Sequence, residues 1–204
     1  SLLNILSVLI CCITKTPYIY SPCGALKPLG NNILIKKLYN LFFLKIIFDN
    51  AACFFAITNK ELKEINYLSK KRVKTFLFPN GIWQKSKQQI EDENYTKFPN
   101  FKLPFKYILF VGRLSIIKGP DILLEAFLKS KIKYDYSLIF AGPDDKMKTK
   151  LLKYIKNFSN SKNIFFFGSV SSRERDYLMR NAILTIIPSR REAMSMVALE
   201  SSLM

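Results

Sequence analysis

The second half of the chain alternates short apolar runs with longer amphipathic segments, and this rhythm restricts the fold more than any other feature. The apolar runs predict buried strands, and the segments between them predict helices. The strands are Tyr107–Val111, Ser137–Ala141, Ile164–Phe167 and Ile183–Ile187; the helices are Pro120–Ser130, Lys146–Phe158, Ser172–Arg180 and a last one beginning at Glu192. This order predicts a parallel, doubly wound α/β sheet whose ligands bind beyond the carboxyl ends of the strands.

The first half of the chain predicts a second sheet of the same kind. Residues 1–13 are expected to form an apolar helix or strand, and Tyr18–Tyr20, 53–57 and 73–78 are expected to form short strands. Thr58 or Asn59 would cap the helix that follows residues 53–57. The apolar side chains of the helical stretch Lys36–Asn50 are expected either to be buried or to touch a membrane.

A polar segment over residues 83–104 separates the two halves and has no sustained apolar period. We therefore expect two Rossmann-like domains, one over residues 1–95 and the other over residues 96–204.

Composition narrows the chemistry that the chain can perform. The chain has 204 residues, no His and a formal net charge of +17. Without His there is no His general base, no Ser-His-Asp triad and no His-containing zinc site. The positive charge favours anionic ligands or surfaces, but no nucleic-acid-binding motif accompanies it, so nucleic acid is disfavoured as a partner. Cysteines stand at Cys11, Cys12, Cys23 and Cys53 without a CxxC spacing, which predicts reduced, mostly buried thiols.

The junction after the first strand of the second half is rich in features of an anion site. Arg113 and Lys118 bracket a glycine-containing loop, Pro120 suits the first position of a helix, and Asp121 falls in its first turn. Two cations beside a helix N-terminus are typical of a diphosphate site. The alternative is a pair of ordinary solvated surface charges.

Glu192 and Glu200 follow the last strand at a spacing of eight residues. On one helix this spacing corresponds to about 12 Å of rise and about 80° of rotation, so the carboxylates would face similar directions at different depths. Such a pair can hold two ends of an elongated ligand. The alternative is two surface residues at a chance spacing.

Six ordered motifs run along nearly the whole chain. They are PYIYSPCGALKPLG, FFAITNKELKEI, FPNGI, FVGRLSIIKGPDILLEAF, LIFAGPDD and NIFFFGSVSSRERDYLMRNAILTIIPSRREAMSMVALE. Together they resemble the retaining GT-B glycosyltransferases of family 4. The resemblance implies an acceptor-side domain followed by a nucleotide-sugar domain. It also implies transfer of a sugar, with retention of configuration, from a nucleoside diphosphate sugar to a glycan or lipid-linked acceptor. Because family members are longer, we expect a fragment truncated at both ends, with both domains incomplete.

The resemblance also assigns roles to individual residues. Arg113 and Lys118 match the pair that binds the donor diphosphate, Glu192 matches a carboxylate beside the transferred sugar, and Glu200 matches one that commonly holds the ribose. We take Arg113, Lys118 and Glu192 as the candidate catalytic residues. The other implied donor-binding positions are Gly112, Gly142, Gly168, Ser169, Val170, Ser195 and Met196, and the acceptor-side positions are Cys23 and Gly24. Among these, Gly168, Ser169 and Val170 match the turn whose backbone meets the base, so we call them the base-binding turn.

No cofactor other than the donor substrate is implied, and no metal, because the basic pair can neutralise the diphosphate. Asp144 and Asp145 are therefore expected to be loop and helix-start residues. Two departures leave an alternative open: Cys23 stands where the family usually has His, and Ser195 where it usually has Gly. The alternative is a catalytically impaired nucleotide-sugar-binding module or an inactive fragment. The expected partners are the nucleotide sugar and a glycan or lipid-linked acceptor of cell-envelope polysaccharide synthesis. The positive charge also favours an anionic membrane surface as a partner, and the alternative is that a genome-wide composition bias produces this charge. The expected location is the cytoplasm or the cytoplasmic face of the membrane.

Overall fold

The computed structural model describes residues 2–26, 43–70, 73–82, 103–104, 106–158 and 162–204. The chain divides into two compact units, one of Ser1–Gly81 with Glu192–Met194 and one of Ile82–Arg191 with Ser195–Met204. The expected boundary between residues 95 and 96 and the expected helical residues 36–42 lie outside the described residues.

The first unit is built around a three-stranded parallel sheet in the order β1-β2-β3. Its elements are α1 (Leu2–Ile13), β1 (Ile19–Tyr20), α2 (residues 43–50), β2 (Cys53–Ala56), α3 (Asn59–Leu68) and β3 (Thr75–Leu77). The apolar side of α2 is buried: Ile47 is 1% exposed and packs with Phe54 of β2 in the core of this unit. For the described part of the Lys36–Asn50 stretch, burial is therefore the correct alternative.

The second unit is built around a four-stranded parallel sheet in the order β6-β5-β4-β7. Its elements are β4 (Tyr107–Val111), α4 (Pro120–Lys129), a 3-10 turn (Lys131–Tyr134), β5 (Ser137–Ala141), α5 (Lys148–Ile155), β6 (Ile164–Gly168), α6 (Ser172–Asn181), β7 (Leu184–Thr185) and α7 (Met196–Ser201). Phe110 of β4 packs with Leu124 of α4 on one face of the sheet, and Leu109 packs with Leu178 of α6 on the other. The predicted doubly wound parallel sheet is confirmed.

The strand order of the second unit places a switch point between β4 and β7. The chain winds outward from β4 through β5 to β6 and then returns to pair β7 with the opposite edge of β4. Loops that follow two such strands diverge, and ligands of open α/β sheets bind in the crevice between them. The loops after β4 and β7 therefore flank the crevice of this unit.

Several helix and strand limits differ from the sequence predictions, and three of these differences have a clear local reason. Lys146 has a φ of +65°, a left-handed conformation incompatible with a helix, and α5 begins at Lys148. The last helix does not begin at Glu192: Ser195 caps it, and α7 starts at Met196. β7 is limited to Leu184–Thr185 because only Ile108 and Leu109 of β4 pair with it.

Two further observations concern the burial of the cysteines and the length of the apolar helices. The four cysteines are free, but Cys23 is exposed and Cys11, Cys12 and Cys53 are half-buried, so the prediction of mostly buried thiols is wrong. Within the described part of the chain, no helix combines the length and the apolar character needed to cross a lipid bilayer.

Candidate functional site

Three of the predicted donor-binding glycines meet at the carboxyl edge of the second sheet. The N–H of Gly112 donates to Ala141 O over 2.9 Å, and the N–H of Gly142 donates to Gly168 O over 2.7 Å. A Cβ at Gly142 would lie 2.1 Å from Gly112 O, and its φ is +146°, so a side chain at this position would force the two loops apart. The ends of β4, β5 and β6 therefore stand closely side by side.

The loop between β4 and α4, residues 112–119, carries both predicted cations, and we call it the anion loop. The Arg113 side chain is exposed and Lys118 is half-buried. Gly119 caps α4 in a left-handed conformation with φ of +68°, Pro120 occupies the first helical position, and no side chain caps the helix. The positive end of the helix dipole therefore adds to the charges of Arg113 and Lys118.

Arg190, which the sequence reasoning did not single out, ties the segment after β7 to the anion loop. Its guanidinium contacts both carboxylate oxygens of Asp121 at 2.8 and 2.7 Å, and its Nη1 also donates to Ile116 O over 2.7 Å. Hydrogen bonding to Arg190 lowers the pKa of Asp121, and the same contact raises the pKa of Arg190. No signal in the linear sequence pairs these residues, which are 69 positions apart.

Glu192 and Glu200 do not share a helix, so the predicted arrangement on one helix face is wrong. Ser195 accepts the N–H of Ala198 through its Oγ at 3.3 Å and starts α7 after Glu192. Glu192 groups with the first unit, whereas Glu200 belongs to the second. Ser195, predicted as a donor-binding position, is a helix cap, and Met196 is the first, exposed residue of α7.

Glu200 is engaged by Arg175 of α6, with Nη1 and Oε2 3.4 Å apart. Arg175 also donates twice to Asp176, whose side chain is only 5% exposed. The structure thus brings Glu200 to the helix that follows the predicted base-binding turn.

That turn, Gly168 to Val170, is held at both ends. Ser171 and Glu174 form a reciprocal capping box at the start of α6, in which the Ser171 Oγ accepts the Glu174 N–H and the Glu174 carboxylate accepts the Ser171 N–H. Val170 packs against the buried cluster of Leu109 and Leu178, while Ser169 is exposed. Ser169 is therefore free of the core, and Val170 anchors the turn.

The acceptor-side turn of the first unit is organised by Glu61, a second residue that sequence reasoning missed. Its side chain is buried, and its two oxygens accept the N–H of Gly24 over 2.6 Å and that of Ile57 over 2.9 Å. Cys23 and Gly24 have φ of +48° and +81°. A Cβ at Gly24 would stand 2.6 Å from the Cβ of Ala193, so this turn lies beside the segment that contains Glu192. The position of Glu61 as third residue of a capped helix was the available sequence signal.

Asp144 has the structural role expected for it. Its Oδ1 accepts the N–H of Met147 over 2.9 Å and that of Lys148 over 2.8 Å at the start of α5. Across the described ranges, no group of three or more His, Cys, Asp or Glu side chains is arranged to hold a metal ion.

One protein-family model matches the second half of this chain. Residues 91–202 match the model of glycosyl transferases group 1. This range contains the anion loop, the base-binding turn, the three glycines at the carboxyl edge of the sheet, and both Glu192 and Glu200. The candidate donor site lies entirely within it.

Two curated relatives come from the archaeon Methanocaldococcus jannaschii. The uncharacterized glycosyltransferase MJ1607 is 33% identical over 96 residues, which cover 47% of this chain and 24% of that protein. The uncharacterized glycosyltransferase MJ1178 is 35% identical over 99 residues, which cover 47% of this chain and 26% of that protein. The matched regions thus span about a quarter of each relative.

Solved structures resemble nearly the whole chain. HepE of Anabaena, crystallised with UDP-glucose, superposes with a TM-score of 0.72 at 18% identity and covers 98% of this chain and 54% of that one. Sucrose-phosphate synthase from Thermosynechococcus elongatus gives a TM-score of 0.71 at 17% identity and covers 96% of this chain and 51% of that one. The chain spans about half the length of these structures, and its parallel sheets have the α/β fold of GT-B glycosyltransferases. With the family model matching more than half of its residues, the chain belongs to the glycosyl transferases group 1 family.

Proposed function

We propose that this chain carries the donor site of a glycosyltransferase that moves a sugar from a nucleoside diphosphate sugar to a glycan or lipid-linked acceptor, with retention of configuration. The observation that supports it most is the anion loop. It carries Arg113 and Lys118 between β4 and α4, beside the crevice at the switch point between β4 and β7.

In this proposal Arg113 and Lys118 bind the donor diphosphate. Negative charge accumulates on the leaving diphosphate as the glycosidic bond breaks, and fixed cations stabilise that charge more in the transition state than in the ground state. Gly112, Gly142 and Gly168 carry no side chains, so the donor can lie close to the backbone at the carboxyl edge of the sheet. Ser169 and Val170 would meet the base, and Glu200 the ribose.

Glu192 would lie beside the transferred sugar and stabilise positive charge on its anomeric carbon. The acceptor-side turn at Cys23 and Gly24 supports this role because it packs beside Ala193, the neighbour of Glu192 in the same unit. Retention is tested by NMR of the product, in which the anomeric configuration of the new bond must equal that of the donor.

A metal ion is not needed in this proposal, because the two cations neutralise the diphosphate. Transfer activity is expected to be the same in EDTA as in Mg²⁺. A requirement for Mg²⁺ would contradict this part of the proposal.

Donor binding is tested by thermal unfolding with UDP, GDP, ADP and TDP and with their glucose conjugates. At about a hundred times its Kd, a ligand stabilises the native state by about 2.7 kcal/mol, so one nucleotide should raise the Tm clearly above the others. Arg113→Ala and Lys118→Ala should abolish the shift, whereas Lys153→Ala, which removes an exposed charge from α5, should retain it. The absence of a shift in the folded wild type would overturn the donor-site assignment.

The second candidate function is nucleotide-sugar binding without turnover. It is favoured by Cys23 in place of the family's usual His and by Ser195, whose Oγ serves the cap of α7 where the family usually has Gly. The two functions are separated by incubating the binding-competent chain with its donor and a mixed glycan acceptor. Release of free nucleoside diphosphate supports the transferase, and a stable donor supports the binding module.

Peripheral contact with an anionic membrane, and with it a location at the cytoplasmic face, rests on the net charge of +17. The apolar side chains of α2 do not support it, because they pack in the core of the first unit. Sedimentation with phosphatidylglycerol vesicles, but not with phosphatidylcholine vesicles, is the expected result.

A further inference from the structure

The contacts of Arg190 surround Lys118 on both sides along the chain. Before Lys118, the N–H of Arg190 donates to Ile117 O over 2.8 Å and its Nη1 donates to Ile116 O over 2.7 Å. After Lys118, the guanidinium binds Asp121 in the first turn of α4 through two bonds of 2.8 and 2.7 Å. The Arg190 side chain thus holds the chain both before and after Lys118.

Backbone packing reinforces this connection. A Cβ at Gly119 would lie 2.2 Å from Pro188 O, so the residue next to Lys118 touches the segment after β7 directly. Pro188 and Arg190 follow β7, and the anion loop follows β4, so the contacts bridge the two loops that flank the switch point.

Arg190 also compensates the negative charge of Asp121. Asp121 would place a negative charge in the first turn of α4, where a bound diphosphate would meet the helix, and like charges repel. Arg190 pairs with both oxygens of Asp121 and lowers the pKa of that carboxyl, so the carboxylate stays ionised and its charge is compensated. The compensated carboxylate then repels a bound diphosphate less than an unpaired one would.

We propose that Arg190 is a positioning residue for the diphosphate site, which holds the anion loop in place across the switch point and neutralises Asp121. The inference rests on the proposed function, because it assigns to Arg190 the geometry of that same site. Arg190 itself need not touch the donor: it acts through Lys118 and Asp121.

The test compares phosphate-dependent with base-dependent binding by calorimetry. The probes are inorganic pyrophosphate and the nucleoside diphosphate that gives the largest thermal shift, with the matching nucleoside as reference. Arg190→Met should weaken the binding of both phosphate ligands about tenfold and leave the nucleoside unchanged, because a displaced loop loses only phosphate contacts. Arg190→Lys should fall between the wild type and Arg190→Met, since its ammonium group still compensates the charge of Asp121 but cannot bind a carboxylate and a carbonyl with fork geometry. Lys153→Met is the matched control.

Two further variants keep the test decisive if Arg190→Met folds poorly. Asp121→Asn with Arg190→Met removes the exposed negative charge, and it should bind pyrophosphate more tightly than Arg190→Met alone. In a Lys118→Ala background, Arg190→Met should weaken the remaining pyrophosphate binding by a smaller factor than in the wild type, because the part of its effect that passes through Lys118 is already lost.

Unchanged pyrophosphate affinity in Arg190→Met, or an equal loss for the nucleoside, would overturn the role of Arg190 while leaving the proposed function intact. A wild type that binds no nucleoside diphosphate would overturn the proposed function, and this inference with it.

Discussion

The guanidinium of Arg175 stands 3.4 Å from the carboxylate of Glu200 and joins helix α6 to helix α7. Asp176, a buried neighbour, holds Arg175 through two further hydrogen bonds. The carboxylate that we propose for the ribose is thus fixed in orientation before any ligand arrives, which reduces the entropy lost on binding.

Glu200→Ala should weaken binding of the preferred nucleoside diphosphate about tenfold, because bonds between hydroxyl groups and a carboxylate are worth about 1.5–3 kcal/mol. The 2′,3′-dideoxy analogue lacks those hydroxyls and should bind the wild type and the variant equally. Arg175→Met should also lower the preference for the ribonucleotide over the dideoxy analogue, but by less than Glu200→Ala. Calorimetry with both nucleotides measures the preference, and an unchanged preference in Glu200→Ala would remove Glu200 from the ribose site.

Asp121 should make stability depend on pH in acid. Its native pKa lies below the ordinary value of 3.8, so the unfolded chain binds its proton first as the pH falls. The stabilisation is complete above about pH 5 and is lost on acidification through the native pKa. Because both partners are partly exposed, the contribution should stay below about 1 kcal/mol.

Urea unfolding of the wild type and Asp121→Asn between pH 6 and pH 3 measures this contribution. The difference in unfolding free energy should shrink as the pH falls. A difference that grew towards pH 3 would contradict the assigned direction.

Tyr107 should contribute to the stability of the second unit through its hydroxyl. This residue is 1% exposed, and its OH donates to Leu178 O of α6 over 2.8 Å. Tyr107→Phe should cost about 1–3 kcal/mol, since it leaves a buried carbonyl without its donor.

Burial raises the pKa of Tyr107, so the unfolded chain loses its phenolic proton first in alkali. The advantage of the wild type over Tyr107→Phe should therefore be complete below pH 10 and decline above it. Tyr136→Phe, at a half-buried position before β5, is the control and should change stability less in denaturant titrations.

The stability of the first unit should depend on the charge of Glu61, even though Gln has the same shape as Glu. Both carboxylate oxygens accept backbone N–H groups, so a Gln would turn an NH₂ group towards one of these donors. Glu61→Gln should cost about 2 kcal/mol in the unfolding of the first unit. Glu64→Gln, one residue before the buried Ile65 on the same helix, should cost less, because Glu64 is half-buried. Equal costs would show that the two N–H contacts do not govern the effect.

Local patterns were sufficient where burial decides the structure. Tyr107–Val111 and Ser137–Ala141 are strands with the predicted limits, because continuous apolar runs between turn residues suit only buried parallel strands. Arg113 and Lys118 fall on one loop at the carboxyl edge for the same reason: chain order alone places them between β4 and α4.

Contacts between distant positions escaped the sequence reasoning. Arg190 meets Asp121, and Glu61 meets Gly24, only after the chain has folded. The start of α7, in contrast, can be predicted from the sequence, because Ser195 is a good N-cap directly before an apolar stretch. The capping residue predicts the start of α7 correctly, whereas the spacing of Glu192 and Glu200 does not.

The pairing of β7 with β4 has a consequence for synthesis on the ribosome. Leu109 pairs in register with Thr185 and accepts the N–H of Ile186 over 2.8 Å only after β7 has left the exit tunnel, and Arg190 follows later still. A nascent chain that ends before these residues therefore has the anion loop but lacks the Arg190 contacts that hold the loop in place. We therefore expect the proposed donor site to form only after β7 has paired with β4, late in translation.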